Sequence, residues 1–212
     1  MLNLDHLTIV APSLEVGAAY VRDQLGIDMP SGGKHPEMAT HNLVLRLSDE
    51  VFMEVIAMDP DVERPKGPRW FGLDDADAIR SAWDDGRRLR GWVAKTDDID
   101  TVLARHGVLL GTKTRVSRGE RSWLFSVLPD GSLPVDGIAP SIVDREGRPG
   151  AISTLPQLGA NLLSFQIEHP NPDWVLKLYA TLGVENPPTV LKGAQVRYRA
   201  IIETPSGIKE LC

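Results

Sequence analysis

The stretch "LDHLTIVAPSLEVGAAYVRDQLGI", residues 4–27, carries the reading from which the fold follows. Leu4, His6, Thr8 and Val10 alternate onto one side of a strand while Asp5, Leu7 and Ile9 take the other, so one face is the more polar. Pro12 and Ser13 stop the strand, and Ser13 is placed to cap a helix. Val16, Ala19, Tyr20 and Leu25 then recur at helical spacing until Gly26 ends it. Downstream, "MPSGGKHPEMAT" (29–40) reads as a loop from its glycines and prolines. "HNLVLRL" and "VFMEVIAM" read as two strands joined by "SDE".

The same order of elements returns twice. "RGWVAKTDDIDTVLARHGV" (90–108) is a strand, an acidic turn with Asp97 or Asp98 as the cap, and a helix. "RSWLFSVLP" and "VDGIAPSIVD" follow as strands, and a Pro/Gly-rich connector runs from Arg145 to Gly159. "NLLSFQIEHPNPDWVLKLYATLGV" (161–184) opens a third copy, which closes with "QVRYRAIIETPSGIKEL". Aligning the helix ends sets His6 against Leu163, and aligning the terminal strands sets Glu54 against Glu210; the two anchors agree within one residue. In the middle copy His6 falls against Gly91. The expected organisation is three modules, at 1–60, 87–146 and 160–212, the last shortened, within one compact unit.

Composition narrows the function. Among 212 residues, 23 Lys and Arg against 29 Asp and Glu give a net charge of −6, with no basic block to neutralise a run of phosphates, so nucleic acid is excluded as a partner. No apolar run reaches the ~18 residues of a membrane span, and the N-terminus lacks the pattern of a signal peptide, so a cytoplasmic protein is expected. The single cysteine, Cys212, excludes an intrachain disulfide and a Cys-based zinc site. Any metal must be held by His, Asp or Glu.

The βαβββ-like units, with His35-Pro36, Thr40 and Asn42 in a loop and strand pattern and Met53-Glu54-Val55-Ile56-Ala57 in a strand, resemble the glyoxalase-like domain proteins of the vicinal oxygen chelate superfamily. The resemblance spans nearly the whole chain. It implies an α+β fold of repeated βαβββ modules forming curled mixed sheets around a cavity, with helices outside. In metal-dependent members a first-strand His and a last-strand Glu bind a divalent ion, which carries over to His6 and Glu54, with Glu210 as the last-strand residue of the third copy. The first-strand position is Gly91 in the second copy and Leu163 in the third, so one His and two carboxylates form the candidate set, with Asp144 a further carboxylate. Such N/O ligands suit Zn, Mn, Ni, Fe, Co or Mg.

The function implied is a lyase or isomerase acting on a small oxygenated metabolite, with possible divalent-metal assistance and with Glu54 or Glu210 moving a proton. Two alternatives stay open. One is a metal-free cavity protein that binds an apolar or drug-like ligand; the other is an extradiol-type dioxygenase, which requires two His and one carboxylate. His35, in a Gly/Pro loop, His41, Trp92 and the alternating Arg197 and Arg199 are candidate substrate-binding residues, the two guanidiniums suiting a carboxylate or phosphate. The bland readings are a capping or rim position for His41, core for Trp92 and a charged edge strand for Arg197 and Arg199. "DDAD" and "TDDID" read as helix starts, since they lack the features of a calcium loop. Three partial copies leave a surface unpaired, and a homodimer is expected.

Overall fold

A computed structural model describes residues 1–212, the Ala151 side chain excepted. The first segment runs β1 (Asn3–Val10), α1 (Leu14–Leu25), β2 (Ser31–His35), a 3-10 turn at Pro36–Met38, β3 (Thr40–Arg46) and β4 (Phe52–Met58). After α2 (Ala76–Asp84), the second segment runs β5 (Leu89–Lys95), α3 (Ile99–Leu110), β6 (Thr112–Arg118), β7 (Arg121–Val127) and β8 (Ser141–Asp144). All eight strands form one sheet in the order β2-β3-β4-β1-β5-β8-β7-β6. In each half the first strand pairs in parallel with the last, and β1 meets β5 antiparallel at the centre, so the halves are related by an approximate twofold.

The sheet curls until its two edges meet. Ser117 on β6 donates its backbone N–H and its hydroxyl to the Glu37 carboxylate at 3.2 and 2.5 Å, tying the far edge to the turn beside β2. Alternation along the strands then separates two apolar layers. Leu7, Ile9, Met53 and Val55 pack outward beneath the helices, while Val10, Ile56, Val93, Phe125 and Val143 fill the inside of the curl. Each such side chain contributes about 1.5–3 kcal/mol on full burial.

The helices obey their caps. The Ser13 hydroxyl accepts from Val16 N, and Gly26 closes α1 in the left-handed region at φ 70°. Asp75 accepts from Ala78 N at the start of α2, and Asp98 from Thr101 N at the start of α3, which places "DDAD" and "TDDID" at helix starts. No helix among the described residues is long and apolar enough to cross a membrane.

The third segment departs from the first two. β9 (Asn161–His169), α4 (Pro172–Leu182), β10 (Thr189–Lys192), β11 (Arg197–Thr204) and β12 (Gly207–Leu211) form a separate sheet in the order β10-β9-β11-β12. Its last strand lies beyond β11, away from β9, whereas β4 lies directly beside β1. The alignment of Glu210 with Glu54 therefore has no counterpart in space. This sheet packs on the outer core, where the Tyr179 hydroxyl and Trp92 indole N–H both donate to Ile138 O and the Tyr198 hydroxyl donates to Gly137 O at 2.6 Å.

Two local readings are corrected, and one strand lies where none was read. Ser31–His35, read as loop, is an edge strand whose Gly32 leaves room for Asn42 on β3: a Cβ there would lie 2.1 Å from Asn42 Oδ1. β6 is too polar to register as a strand by hydrophobic alternation. Within "VDGIAPSIVD" only Ser141–Asp144 is strand, and Pro134–Gly137 is a 3-10 turn.

The close seating of α1 on β4 depends on Gly17, where an added Cβ would sit 2.2 Å from Val55 Cγ1 and 3.0 Å from Ala11 Cβ. Val55 is fully buried and stiff at χ1, so it cannot swing aside. Although alanine is the better helix former, Gly17→Ala is expected to lower the unfolding free energy by about 1–3 kcal/mol in urea titration, because overpacking outweighs the gain in propensity. An unchanged or raised stability would show that α1 is not held this closely.

Candidate active site

The site begins at an irregularity in β1. Leu4 pairs with Ala94 and His6 with Val93, so Asp5 is the extra residue of a β-bulge. Strict alternation would send Asp5 to the face opposite His6; here its Oδ1 lies 2.6 Å from His6 Nδ1. On the other side of the ring, His6 Nε2 lies 3.2 Å from Oε1 of Glu54 on β4. Arg145, just after β8, grips Asp5 with both terminal nitrogens, at 2.5 and 2.8 Å. Phe52 stacks on the imidazole at 4.4 Å between centroids. The result is a buried row of alternating charge: Arg145, Asp5, His6, Glu54.

Its electrostatics follow from what each group touches. Burial alone would push the Asp5 carboxyl up, but hydrogen bonds from His6 and Arg145 outweigh it and hold the group far below the usual carboxylate range. Burial alone would lower His6, but the Glu54 charge and the contact with Asp5 raise it above its ordinary 6.5. Glu54, likewise desolvated, is held low by His6 and by Asn42, whose Nδ2 donates to Oε2 at 2.9 Å. Thr8 adds a long contact to Oε1 at 3.4 Å. The row therefore favours two carboxylates flanking an imidazolium.

Glu54 and His6 line a cavity of about 330 Å³ inside the curl. Trp70, Phe71, Trp123 and Phe125 supply apolar walls, and Arg118, Arg121, Arg145 and Arg148 lie around it. His35, at the end of β2, also faces it. Burial draws its pKa down to about 4, so the ring is neutral at physiological pH. Its tautomer follows from Thr40, whose fully buried hydroxyl accepts the Trp70 indole N–H at 3.2 Å and lies 3.2 Å from His35 Nδ1. Among the described residues His35 Nδ1 is the acceptor within reach of that hydroxyl proton, which leaves the imidazole proton on Nε2.

The structure brings His6, Glu54 and His35 together and places the other candidates elsewhere. Glu210 is half-exposed on β12, 3.7 Å from Arg199, on the separate sheet. Arg199 pairs with Glu168 at 2.9 Å, and Arg197 lies on the same strand, β11. Trp92 is buried in the outer core, since its strand position is opposite in phase to the cavity-facing Gly91 and Val93. His41 sits on β3 out of phase with Asn42, on the side of Leu43 and Leu45. Asp144 accepts from Ile99 N and Glu146 N, a local structural role. Sequence reasoning missed Asp5, Arg145, Arg118 and Trp70. The bulge hides Asp5 from a period-2 reading, and the arginines reach the cavity only because β6 and β8 fold back over it.

Whether these residues fit a divalent ion is decided by the twofold. The exchange of β1 and β5 sets Gly91 where His6 stands, and Thr8 opposite Glu54 corresponds to Val93 opposite Ser141. The second half thus contributes Gly91 and Ser141 in place of a His and a carboxylate. The space is already filled, because a Cβ on Gly91 would lie 2.9 Å from Leu133 Cδ2. No group of three or more His, Cys, Asp or Glu side chains suited to a metal exists among the described residues. His6 and Glu54 are already in mutual contact, and His35, though it lines the same cavity, forms no metal-holding group with them. The donors fall short of the three protein ligands usual in a catalytic zinc site and of the two convergent His and one carboxylate of an iron dioxygenase, so the set does not fit a resident ion.

Two βαβββ halves curled around a cavity define an α+β fold of paired modules in a mixed sheet. The chain belongs to the glyoxalase-like domain family, whose model matches residues 4–183. No curated protein matches it. Among solved structures, a hypothetical protein from Staphylococcus aureus shares the fold over 99% of this chain and 98% of its own, at 12% identity and a TM-score of 0.64. Methylmalonyl-CoA epimerase from Mycobacterium tuberculosis matches 69% of this chain and 88% of its own, at 15% identity and a TM-score of 0.42.

A pH dependence follows from the row. His6, raised in the folded state, contributes stability that is fully present below about pH 6.5 and is lost as pH climbs through the raised value. Asp5 and Glu54, lowered in the folded state, contribute stability that is present above their ordinary 3.8 and 4.5 and is lost as pH falls through the lowered values. Urea unfolding across pH is expected to show a decline on the alkaline side that is smaller and ends at lower pH in Glu54→Gln. An alkaline limb unmoved by that substitution would contradict the assignment.

Proposed function

We propose that this chain is an isomerase or lyase that moves a proton on a small oxygenated metabolite, with Glu54 taking the proton and His6 its proton-holding partner. The observation that supports the reading is the buried row itself, an imidazole between two carboxylates with the inner carboxylate opening onto a cavity. Asp5, fixed by Arg145, keeps Nδ1 protonated and the ring oriented, and leaves the Nε2 proton shared with Glu54. When Glu54 accepts a proton from a bound molecule, its negative charge vanishes. The charge that raised His6 is gone, and the imidazolium becomes the better acid at that moment. One group thus removes a proton while its neighbour is readied to return one.

Glu54 in the free protein is a weak base, so the proton it removes must be acidified by a neighbouring carbonyl. His35 presents Nε2–H into the same cavity and can donate to that carbonyl oxygen as it gains charge. No step is assigned to a metal ion, since the donor set does not fit one. The reading as a binding protein without chemistry draws support from the aromatic walls of Phe52, Trp70, Trp123 and Phe125.

Two experiments test this. Small 2-oxo and 2-hydroxy acids incubated with the protein in D2O are expected to exchange a carbon-bound hydrogen, followed by NMR, and Glu54→Gln is expected to slow the exchange at least about 100-fold with the fold retained. Equal exchange by the variant would remove Glu54 from the reaction. Chelator, or added Mn, Ni, Zn or Mg, is expected to leave the thermal midpoint unchanged; a midpoint that rises with ion concentration would show a metal site that the donor set does not reveal.

A further inference from the structure

Four arginines surround the cavity, and three are engaged. Arg145 is held by Asp5 through two bonds. Arg148 donates to Ser122 O and Oγ and lies 3.4 Å from Glu146. Arg121 donates to Thr154 Oγ1. The Arg118 side chain makes no hydrogen bond or ion pair among the described residues. Its guanidinium lies over the Trp123 ring, 6.0 Å from the centroid, and its stem runs across Gly33 on β2. A Cβ on Gly33 would be 2.9 Å from Arg118 Cδ, and the glycine's φ of +132° admits no other residue without strain, so the backbone of β2 is shaped to let this side chain reach inward. A half-buried, unpaired guanidinium on an aromatic face needs a partner that the chain does not supply.

The unpaired guanidinium identifies the partner. Asp5, Glu54, Arg145 and the protonated His6 match one another's charges, Arg121 and Arg148 keep polar partners of their own, and Arg118 is the cavity guanidinium left without one. We propose that Arg118 binds the carboxylate of a small, flat monoanion whose apolar body lies between Trp70, Trp123 and Phe125. A carboxylate matches the planar guanidinium fork with two parallel bonds, and its negative charge pairs the guanidinium that the chain leaves without a partner. The aromatic walls accept an unsaturated or ring-bearing body, and His35 Nε2–H, edge-on to Trp123 at 6.0 Å between centroids, adds a donor near the same wall. Naming this ligand as the substrate rests on the proton-transfer reading; the anion site itself does not.

Benzoate, benzyl alcohol and phenyl phosphate are the probes, titrated into the 15N-labelled protein while the Arg118 Nε–H and Trp123 indole signals are followed. Benzoate is expected to shift both signals saturably and to bind about ten-fold or more tighter than benzyl alcohol. Arg118→Gln should reduce benzoate to the affinity of the alcohol while leaving the alcohol unchanged, and Arg118→Lys should lose part of the preference, since a point charge replaces the fork. Benzoate binding that persists in Arg118→Gln, or that leaves the Arg118 signal unmoved, would overturn the proposal. Tighter, Arg118-dependent binding of phenyl phosphate would overturn the carboxylate assignment. Glu54→Gln should still bind benzoate through Arg118, so a failure of proton transfer and a failure of this site give different results.

Discussion

The site depends on one contact, the 2.6 Å approach of Asp5 to His6 made possible by a bulge in β1. Buried ionised groups are costly unless their charges are matched and their hydrogen bonds made. Here each member of the row matches the next: Arg145 fixes Asp5, Asp5 fixes one nitrogen of His6, and His6 neutralises Glu54. Removing any one would strand a neighbour in a nearly dry environment. The same row gives the cavity a carboxylate and an imidazole whose proton affinities answer to each other.

The approximate twofold explains why the chemistry sits in one half. The first half offers His6, Asn42 and Glu54, whereas the second offers Gly91, Phe125 and Ser141 toward the same interior, with Leu133 filling the space over Gly91. An apolar plug on one side and a charged row on the other make a cavity with a direction. The contact between Ser117 and Glu37 closes the curl and carries Arg118 from β6 to the cavity over Gly33 of β2. The cationic wall thus comes from the strand farthest in the sheet from β2.

The fold was legible because β1 and α1 carry strong local signals: alternation from Leu4 to Val10, the Ser13 cap, the Gly26 stop, and the return of that order in the second segment. His6 and Glu54 were legible from their places in the pattern, and their approach to 3.2 Å follows from the parallel pairing of β1 with β4. Asp5 was not, because a bulge breaks the period on which the reading rests. Glu210 misled because similar order along the chain does not impose the same sheet order, and β11 entered between β9 and β12. Trp92 turned to the outer core on the phase of its strand. Arg118 and Arg145 lie on a polar strand and in a connector, where no periodicity marks a functional side chain.

The protonation of His6 tests the account most directly. Ring-nitrogen NMR of the 15N-histidine-labelled protein near neutral pH should show both His6 nitrogens protonated, with the Nδ1 proton far downfield from its short contact with Asp5, and this doubly protonated form should be lost in Glu54→Gln. A His6 carrying one proton at neutral pH, with Nε2 bare and unaffected by Glu54, would contradict the charge row and the proton transfer built on it.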